Sequence, residues 1–436
     1  MVSLDSRSRR LVAVLALIVP LSLVAACTAG STTGQAAVSP SSSSAPATSP
    51  VASTPTSSKP AAPAAVITES WKSGAKYSPA TPLSVSVASG TLTSVTLTSP
   101  TGKVVKGAMA ADSTSWKSAE DLGYSKTYKL VAKAVNADGV ASVQKSSVTT
   151  VSPNNLTMPY IQRLGGYTLA NKATYGVAIV PTIHFDERIP NRAAAEKALK
   201  VTTVPAVKGS WYWVDDQNVH YRPENYWPSG TKVTVSADVY GVDLGSGLYG
   251  QSDVSTSFTI GRKQVTIATD TAPKSVNHVY VYDGAGKVIR KMNTSMGEHS
   301  GETVKGQYIN FYTLDGTYTV LDHEQPAKMC SASYGLPADA PGGYPCEDIY
   351  NATKISTDGI YLHELDTTVW AQDHGADVSH GCLNLNRSNA EWYFQHSMIG
   401  DPVVIHGAKG APKLAEWEGG DWSIPWSTWT SGSALS

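Results

Sequence analysis

Beyond about residue 66, apolar and polar residues alternate with a period of two through long stretches of the chain. Leu83-Ser84-Val85-Ser86-Val87 and Val95-Thr96-Leu97 place every second side chain on one face, as half-buried strands require. Pro100-Thr101-Gly102 reads as a turn. Residues 128–135 and 140–148 predict two more strands, with 136–139 turning between them. Short strands with regular turn punctuation suggest an immunoglobulin-like sandwich over 66–151. A second such module is expected over 152–262, with strands at 177–181, 210–214, 220–223 and 233–240 and a short Ala-rich helix at 192–200. A third β-rich domain spans 263–407, with strands at 265–268, 279–282, 288–291, 317–321 and 359–363. Its one clear helix is 388–398, with Ser388 at the N-cap position and Glu391 three residues on. The fold class is therefore mainly β: two sandwiches, then a β-rich domain carrying a short helix.

The two ends depart from this pattern. Arg7, Arg9 and Arg10 precede an apolar stretch from 11 to 24, short of the roughly 20 residues that cross a bilayer. Residues 1–26 read as a secretory signal. Val24-Ala25-Ala26-Cys27 resembles a bacterial lipobox, in which Cys27 would carry the lipid that holds the mature chain to the membrane; plain secretory cleavage is the alternative. Either way the mature chain is expected outside the cytoplasm. Residues 27–65 are Ser, Thr, Ala and Pro with almost nothing large and apolar, a disordered tether reaching roughly 100 Å at about 3.1 Å per residue. The last stretch, 408–436, sets Trp417, Trp422, Trp426 and Trp429 among Gly, Pro and Ser. Four tryptophans do not stay wet, so the tail is expected to pack back on the body.

Charged residues are 16% of the chain and the net charge is −1, so no basic surplus points to nucleic acid. The aromatics Trp211-Tyr212-Trp213 and Tyr226-Trp227 read as sandwich core ahead of a glycan platform. The loop Asp243-Leu244-Gly245-Ser246-Gly247 offers a single carboxylate, a weak calcium signal. Of four cysteines, Cys330, Cys346 and Cys382 remain after Cys27, an odd number in a disulfide-permissive compartment. Two can pair and one stays free.

The chemically dense stretch is Ser379-His380-Gly381-Cys382-Leu383-Asn384-Leu385. A thiolate there is a nucleophile, and a neighbouring imidazolium or helix N-terminus would lower its pKa. Two histidines are candidate bases. His380 lies roughly 6.6 Å along an extended segment from Cys382, whereas His363 approaches from another strand. Gly381 lacks a Cβ and lets consecutive N–H groups aim at one point, as an oxyanion hole requires. A zinc half-site completed by His374, or a buried structural cysteine, are the bland alternatives.

Residues 359–385, GIYLHELDTTVWAQDHGADVSHGCLNL, resemble the signature of YkuD-type L,D-transpeptidases: a histidine, a loop, then Ser-His-Gly-Cys with Asn two residues on. GSWYW, YRPENYWPSGTKV and the Trp-rich tail resemble the group that carries two immunoglobulin-like modules before the catalytic domain. The resemblance implies Cys382 as nucleophile, His363 as general base, His380 as a supporting residue, and the N–H groups of Gly381 and Cys382 as oxyanion donors. It assigns Asn384 to the donor peptide, Tyr344 to a lid over substrate, Asp358 and Gly359 to a strand edge under the stem, and Met329 and Tyr334 to other lid positions. It implies a two-step acyl transfer between a donor and an acceptor peptidoglycan stem peptide, with no metal or organic cofactor, and acylation by carbapenems. Water in place of the acceptor would make the enzyme an L,D-carboxypeptidase, and a decayed site would leave a wall-binding scaffold. The chain departs from the pattern at Glu364, where related enzymes often have Ser. A further departure is Cys330 and Cys346 in the lid beside Met329 and Tyr344, where a disulfide is expected to narrow lid motion.

Overall fold

A computed structural model of the protein describes residues 59–436. The expected signal peptide, the lipidation site Cys27 and the tether as far as residue 58 lie outside them.

The alternating segments form the expected mainly β architecture, around three separate apolar cores. The first sandwich sets the sheet Val66–Glu69, Ser84–Ala88, Ser115–Ser118, Gly107–Met109 against Lys76–Tyr77, Ala141–Thr150, Thr127–Val135, Thr91–Thr98. Along Thr127–Val135, Tyr128, Leu130, Ala132 and Ala134 all point inward, so the period read from the sequence is the period of burial. Ordered contacts begin ahead of Val66. The Asn136 amide donates to the Ala62 and Pro63 carbonyls, each at 3.1 Å, and Ala65 is buried.

The second sandwich pairs a five-stranded sheet (Tyr167–Thr168, Pro159–Arg163, Pro181–Phe185, Asn218–Pro223, Gly209–Trp213) with a four-stranded one (Thr174–Tyr175, Val254–Ile260, Lys232–Ala237, Leu199–Val204). Trp211, Trp213 and Trp227 are core residues. The short helix is Arg192–Lys197, capped by the Asn191 side chain. The strand expected at 177–181 is displaced: the strand is Pro181–Phe185, and Val177, Ala178, Ile179 and Val180 form a buried loop. This loop satisfies its backbone with distant partners. Ala178 N–H donates to the Gly400 carbonyl at 2.8 Å, and the Trp227 and Trp422 indoles donate to the carbonyls of Ile179 and Ala178.

The third domain has a five-stranded sheet, Val288–Thr294, Asn277–Tyr282, Val265–Thr269, Pro402–His406, Gly316–Thr319, and a four-stranded one, Asp322–Glu324, Ala352–Lys354, Tyr361–Glu364, Leu383–Leu385. Tyr361–Glu364 and Leu383–Leu385 run parallel, with Leu362 opposite Leu383 and His363 opposite Asn384. Parallel neighbours need a crossover, and this one contains a helix the sequence pattern did not predict, Val369–His374, ended by Gly375 at φ +68°. The helix expected at 388–398 is Arg387–His396. Its N-cap is Asn386, whose side chain accepts from Asn389 N–H at 3.0 Å, in place of Ser388.

The tail lies against the second sandwich through three of its four tryptophans. Arg222, 2% exposed, lies under Trp422, Trp426 and Trp429 at 4.9, 5.4 and 4.4 Å from the ring centroids, and it donates to the Asp421 and Ile424 carbonyls. Trp429 stacks on Tyr212 and is fully buried. Trp417, by contrast, is 71% exposed.

Candidate active site

Cys382 sits at the turn into Leu383–Leu385, half-buried, and is the free cysteine among the described residues. Cys330 and Cys346 are bonded to each other. The turn that presents Cys382 is held from several sides. The Ser379 hydroxyl donates to the Cys382 carbonyl at 2.6 Å, and the Thr313 hydroxyl donates to the Gly381 carbonyl at 2.9 Å. Gly381 has φ +127°, and a Cβ there would meet Ile360 Cδ1 at 2.6 Å, so the position requires glycine on both counts. The sequence pattern gave no role to Ser379 or Thr313. Ser379 lies inside the motif, but Thr313 comes from a segment 68 residues away and leaves no local signal.

The Gly381 N–H donates to Ser379 Oγ at 3.1 Å. To serve an oxyanion it would have to exchange that partner, which leaves the Cys382 N–H as the other donor the resemblance offers.

Two cavities meet at Cys382. The larger, about 490 Å³, is lined by Tyr334, Asp358, Gly359 and Tyr361, and the smaller, about 180 Å³, by His363, Ser379 and Asn384. Met329, Tyr344, His380 and Cys382 border both. The expected site residues therefore gather around one thiol but divide between its two sides. Gly381 is buried behind them.

The Cys382 thiol contacts the Gly359 carbonyl at 3.7 Å. Burial pushes the thiol up to about 12, the Tyr361 backbone N–H opposes this, and the Asp358 charge adds to it. The direction is opposite to the lowering that a neighbouring imidazolium or helix N-terminus would give, because dehydration dominates. Burial also holds His363 below its ordinary value, against the bond to Glu364. Both partners therefore rest uncharged near neutrality. A carbonyl can only accept, so the 3.0 Å contact between His363 Nδ1 and the Glu364 carbonyl puts the proton on Nδ1 and leaves Nε2 as the lone-pair nitrogen.

His380 packs edge-on against Phe311 at 4.3 Å and lies 6.1 and 5.5 Å from the Tyr334 and Tyr344 rings. Burial lowers its pKa, with Glu298 and the Gly342 backbone opposing, so it is an uncharged part of an aromatic wall. The lid is a small hairpin in which Ala327–Met329 pairs with Glu347–Ile349, closed just beyond Met329 by the disulfide. Ser331 Oγ accepts from the Tyr344 N–H at 2.9 Å and donates to the Tyr344 carbonyl at 2.8 Å, which fixes that lid residue. Asn384 is buried and its side-chain oxygen has no hydrogen-bond partner. The zinc alternative is not assembled: His374 is exposed, stacks on Trp370 and bonds the Trp370 carbonyl of its own helix at 2.8 Å.

Residues 267–405 match the L,D-transpeptidase catalytic domain, YkuD, and residues 74–243 match a bacterial Ig domain. L,D-transpeptidase 2 of Mycobacterium tuberculosis strain CDC 1551 / Oshkosh is 39% identical over 354 residues, 81% of this chain and 81% of that protein. L,D-transpeptidase 5 of Mycobacterium tuberculosis strain ATCC 25618 / H37Rv is 35% identical over 83% of this chain and 75% of its own length. Among solved structures, LD transpeptidase LdtMt1 in complex with imipenem covers 57% of this chain and 99% of its own, at 27% identity and a TM-score of 0.44.

Proposed function

This chain belongs to the YkuD-type L,D-transpeptidase family, and from that premise we propose that it forms 3→3 peptidoglycan cross-links through a thioester on Cys382. The observation that carries the reading is the position of one free thiol on the border of two cavities, with His363 on one side and the Asp358–Gly359 edge on the other.

In the proposed cycle the donor tetrapeptide stem lies in the larger cavity along Asp358 and Gly359, beneath Tyr344 and Met329. Its entry displaces the Cys382 thiol from the Gly359 carbonyl. As the sulfur attacks the carbonyl carbon of meso-diaminopimelate, the thiol proton passes to His363 Nε2. Because both groups begin uncharged, charge develops only in the transition state, where the Cys382 N–H meets the new oxyanion. Collapse breaks the C–N bond, and the proton on His363 leaves with the amine of the terminal D-Ala. The side-chain amine of a second stem then attacks the thioester, gives up a proton to His363, and the thiol re-forms. Asn384 lines the smaller cavity, and its buried, unpartnered oxygen would reach a substrate amide only if the side chain turned toward the bound stem.

In this reading the chain is exported and lipid-anchored at Cys27, faces the cell wall, and is inhibited by carbapenems that acylate the same thiol. Incubation with purified muropeptides tests the proposal. Diaminopimelate-to-diaminopimelate dimers should appear by mass spectrometry and vanish in Cys382→Ala. Folded protein that yields neither dimers nor tripeptides would sink it.

A further inference from the structure

Away from the thiol, three side chains from distant segments converge. Asp270 directly follows Val265–Thr269, His299 follows Val288–Thr294, and Asp377 lies two residues before Ser379. His299 Nε2 is 2.9 Å from Asp270 Oδ2 and 3.4 Å from Asp377 Oδ2. The carboxylates are almost dry, with side-chain exposures of 1% and 5%, while the imidazole is 30% exposed. Asp377 has other donors, so the shortfall of hydrogen bonds falls on Asp270. The deficit is visible, since the buried Asp270 Oδ1 has no hydrogen-bond partner at all.

We propose that Asp270, His299 and Asp377 bind a single divalent cation of the zinc class. All three ligand atoms lie within 4.8 Å of one another. Ligands about 2.1 Å from a tetrahedral zinc ion stand about 3.4 Å apart; the His299–Asp377 separation matches this, and the 2.9 Å His299–Asp270 hydrogen bond would give way as the ion displaces its proton. The ligands are also held in place from behind. Asn277 Nδ2 donates to both Asp377 oxygens at 3.0 and 3.1 Å, the Met296 N–H donates to Asp377 Oδ1 at 2.6 Å, and Tyr312 stacks on the His299 ring. The open side of His299 gives an ion a way in and leaves room for a water as fourth ligand. One imidazole and two carboxylates suit zinc better than calcium, which needs six to eight oxygens.

The ion would act as a staple under the Cys382 turn. Ser379 N–H donates to the Met296 carbonyl at 3.1 Å, and Glu298 N–H donates to the Ser379 carbonyl at 2.8 Å. Asp377, Met296, Glu298 and Ser379 thus form one strap, and a cation would tie both its edges to Asp270. This role differs from the metal-free chemistry proposed for the thiol and does not depend on it.

Calorimetric titration of ZnCl₂ into EDTA-stripped full chain tests the site, in a Cys382→Ala background so that the thiol cannot compete as a ligand. Saturable binding of one equivalent is expected, weakened at least about tenfold by His299→Ala and by the near-isosteric Asp377→Asn. Thermal unfolding confirms that each variant is folded, and His299→Gln replaces His299→Ala if that variant is not. Absence of saturable zinc binding in the parent, or equal binding in the parent and both variants, overturns the proposal.

Discussion

His363 is oriented by the backbone of Glu364 and not by its side chain: Nδ1 donates to the Glu364 carbonyl at 3.0 Å, while the Glu364 carboxylate turns away to Asn351 and Arg387, each at 2.8 Å. Any residue supplies that carbonyl, which explains why Glu can stand where Ser is usual.

Glu364→Gln should therefore leave the acylation rate of Cys382 within about threefold of the parent. Its stability should fall only slightly: Glu364 is 13% exposed, but its charged partner Arg387 is 70% exposed and screened by solvent. Stopped-flow acylation by a carbapenem and chemical denaturation measure the two effects. A hundredfold loss of rate would mean that the carboxylate acts on the base after all.

The uncharged thiol and imidazole set the pH profile. The imidazole must be neutral to accept the proton, and burial lowers its pKa, so the rise of acylation with pH should fall at a lower pH than an ordinary histidine would give. No second rise is expected near about pH 8.5, where a solvated cysteine would ionise, because this thiol is pushed up to about 12. A steep climb of the single-turnover rate in that range would point to a free thiolate mechanism. His363→Ala should slow acylation by roughly 10²–10⁴-fold.

Gly381→Ala forces a side chain into the positive-φ region and against Ile360. The strain should cost about 1–3 kcal/mol, and the larger effect should be on reactivity, as the turn carrying Cys382 shifts. Thermal unfolding and acylation kinetics, measured together, should show rate falling further than stability. Wild-type values for both would contradict the geometry.

Opening the Cys330–Cys346 bond, which joins cysteines 16 positions apart, should destabilise the lid by up to about 3 kcal/mol. Mild reduction followed by alkylation should label both thiols before the body unfolds. KM for the donor stem should rise more than kcat falls, because in the proposed cycle Met329 and Tyr344 lie over the donor stem and take no part in proton transfer. Equal losses in both constants would argue that the staple supports the thiol itself.

Where a sheet has one wet face, as along Thr127–Val135, alternation in the sequence translated directly into burial. It misled at Val177, Ala178, Ile179 and Val180. An apolar run reads as a strand, yet its partners, Gly400 and Trp422, lie more than two hundred residues away and no local pattern reports them. The helix Val369–His374 escaped because six residues are too few to show a helical period. Cys382, His380 and Gly381 were legible because they are contiguous. Thr313 was not, because its hydroxyl reaches the turn only through tertiary packing.

The Arg222 clamp has a practical consequence for anyone cutting the chain. Its three tryptophans belong to the tail, its guanidinium to the second sandwich, and Ser423 of the same tail accepts from Thr317 N–H at the edge of the catalytic sheet. A fragment beginning after residue 262 would strip the tail of its seat and unwrap the Val177–Val180 loop from Gly400. The natural place for scissors is between the two sandwiches, where the hydroxyls of Ser78, Tyr124 and Tyr240 make the hydrogen bonds. Everything downstream should travel, melt and be purified as a single piece.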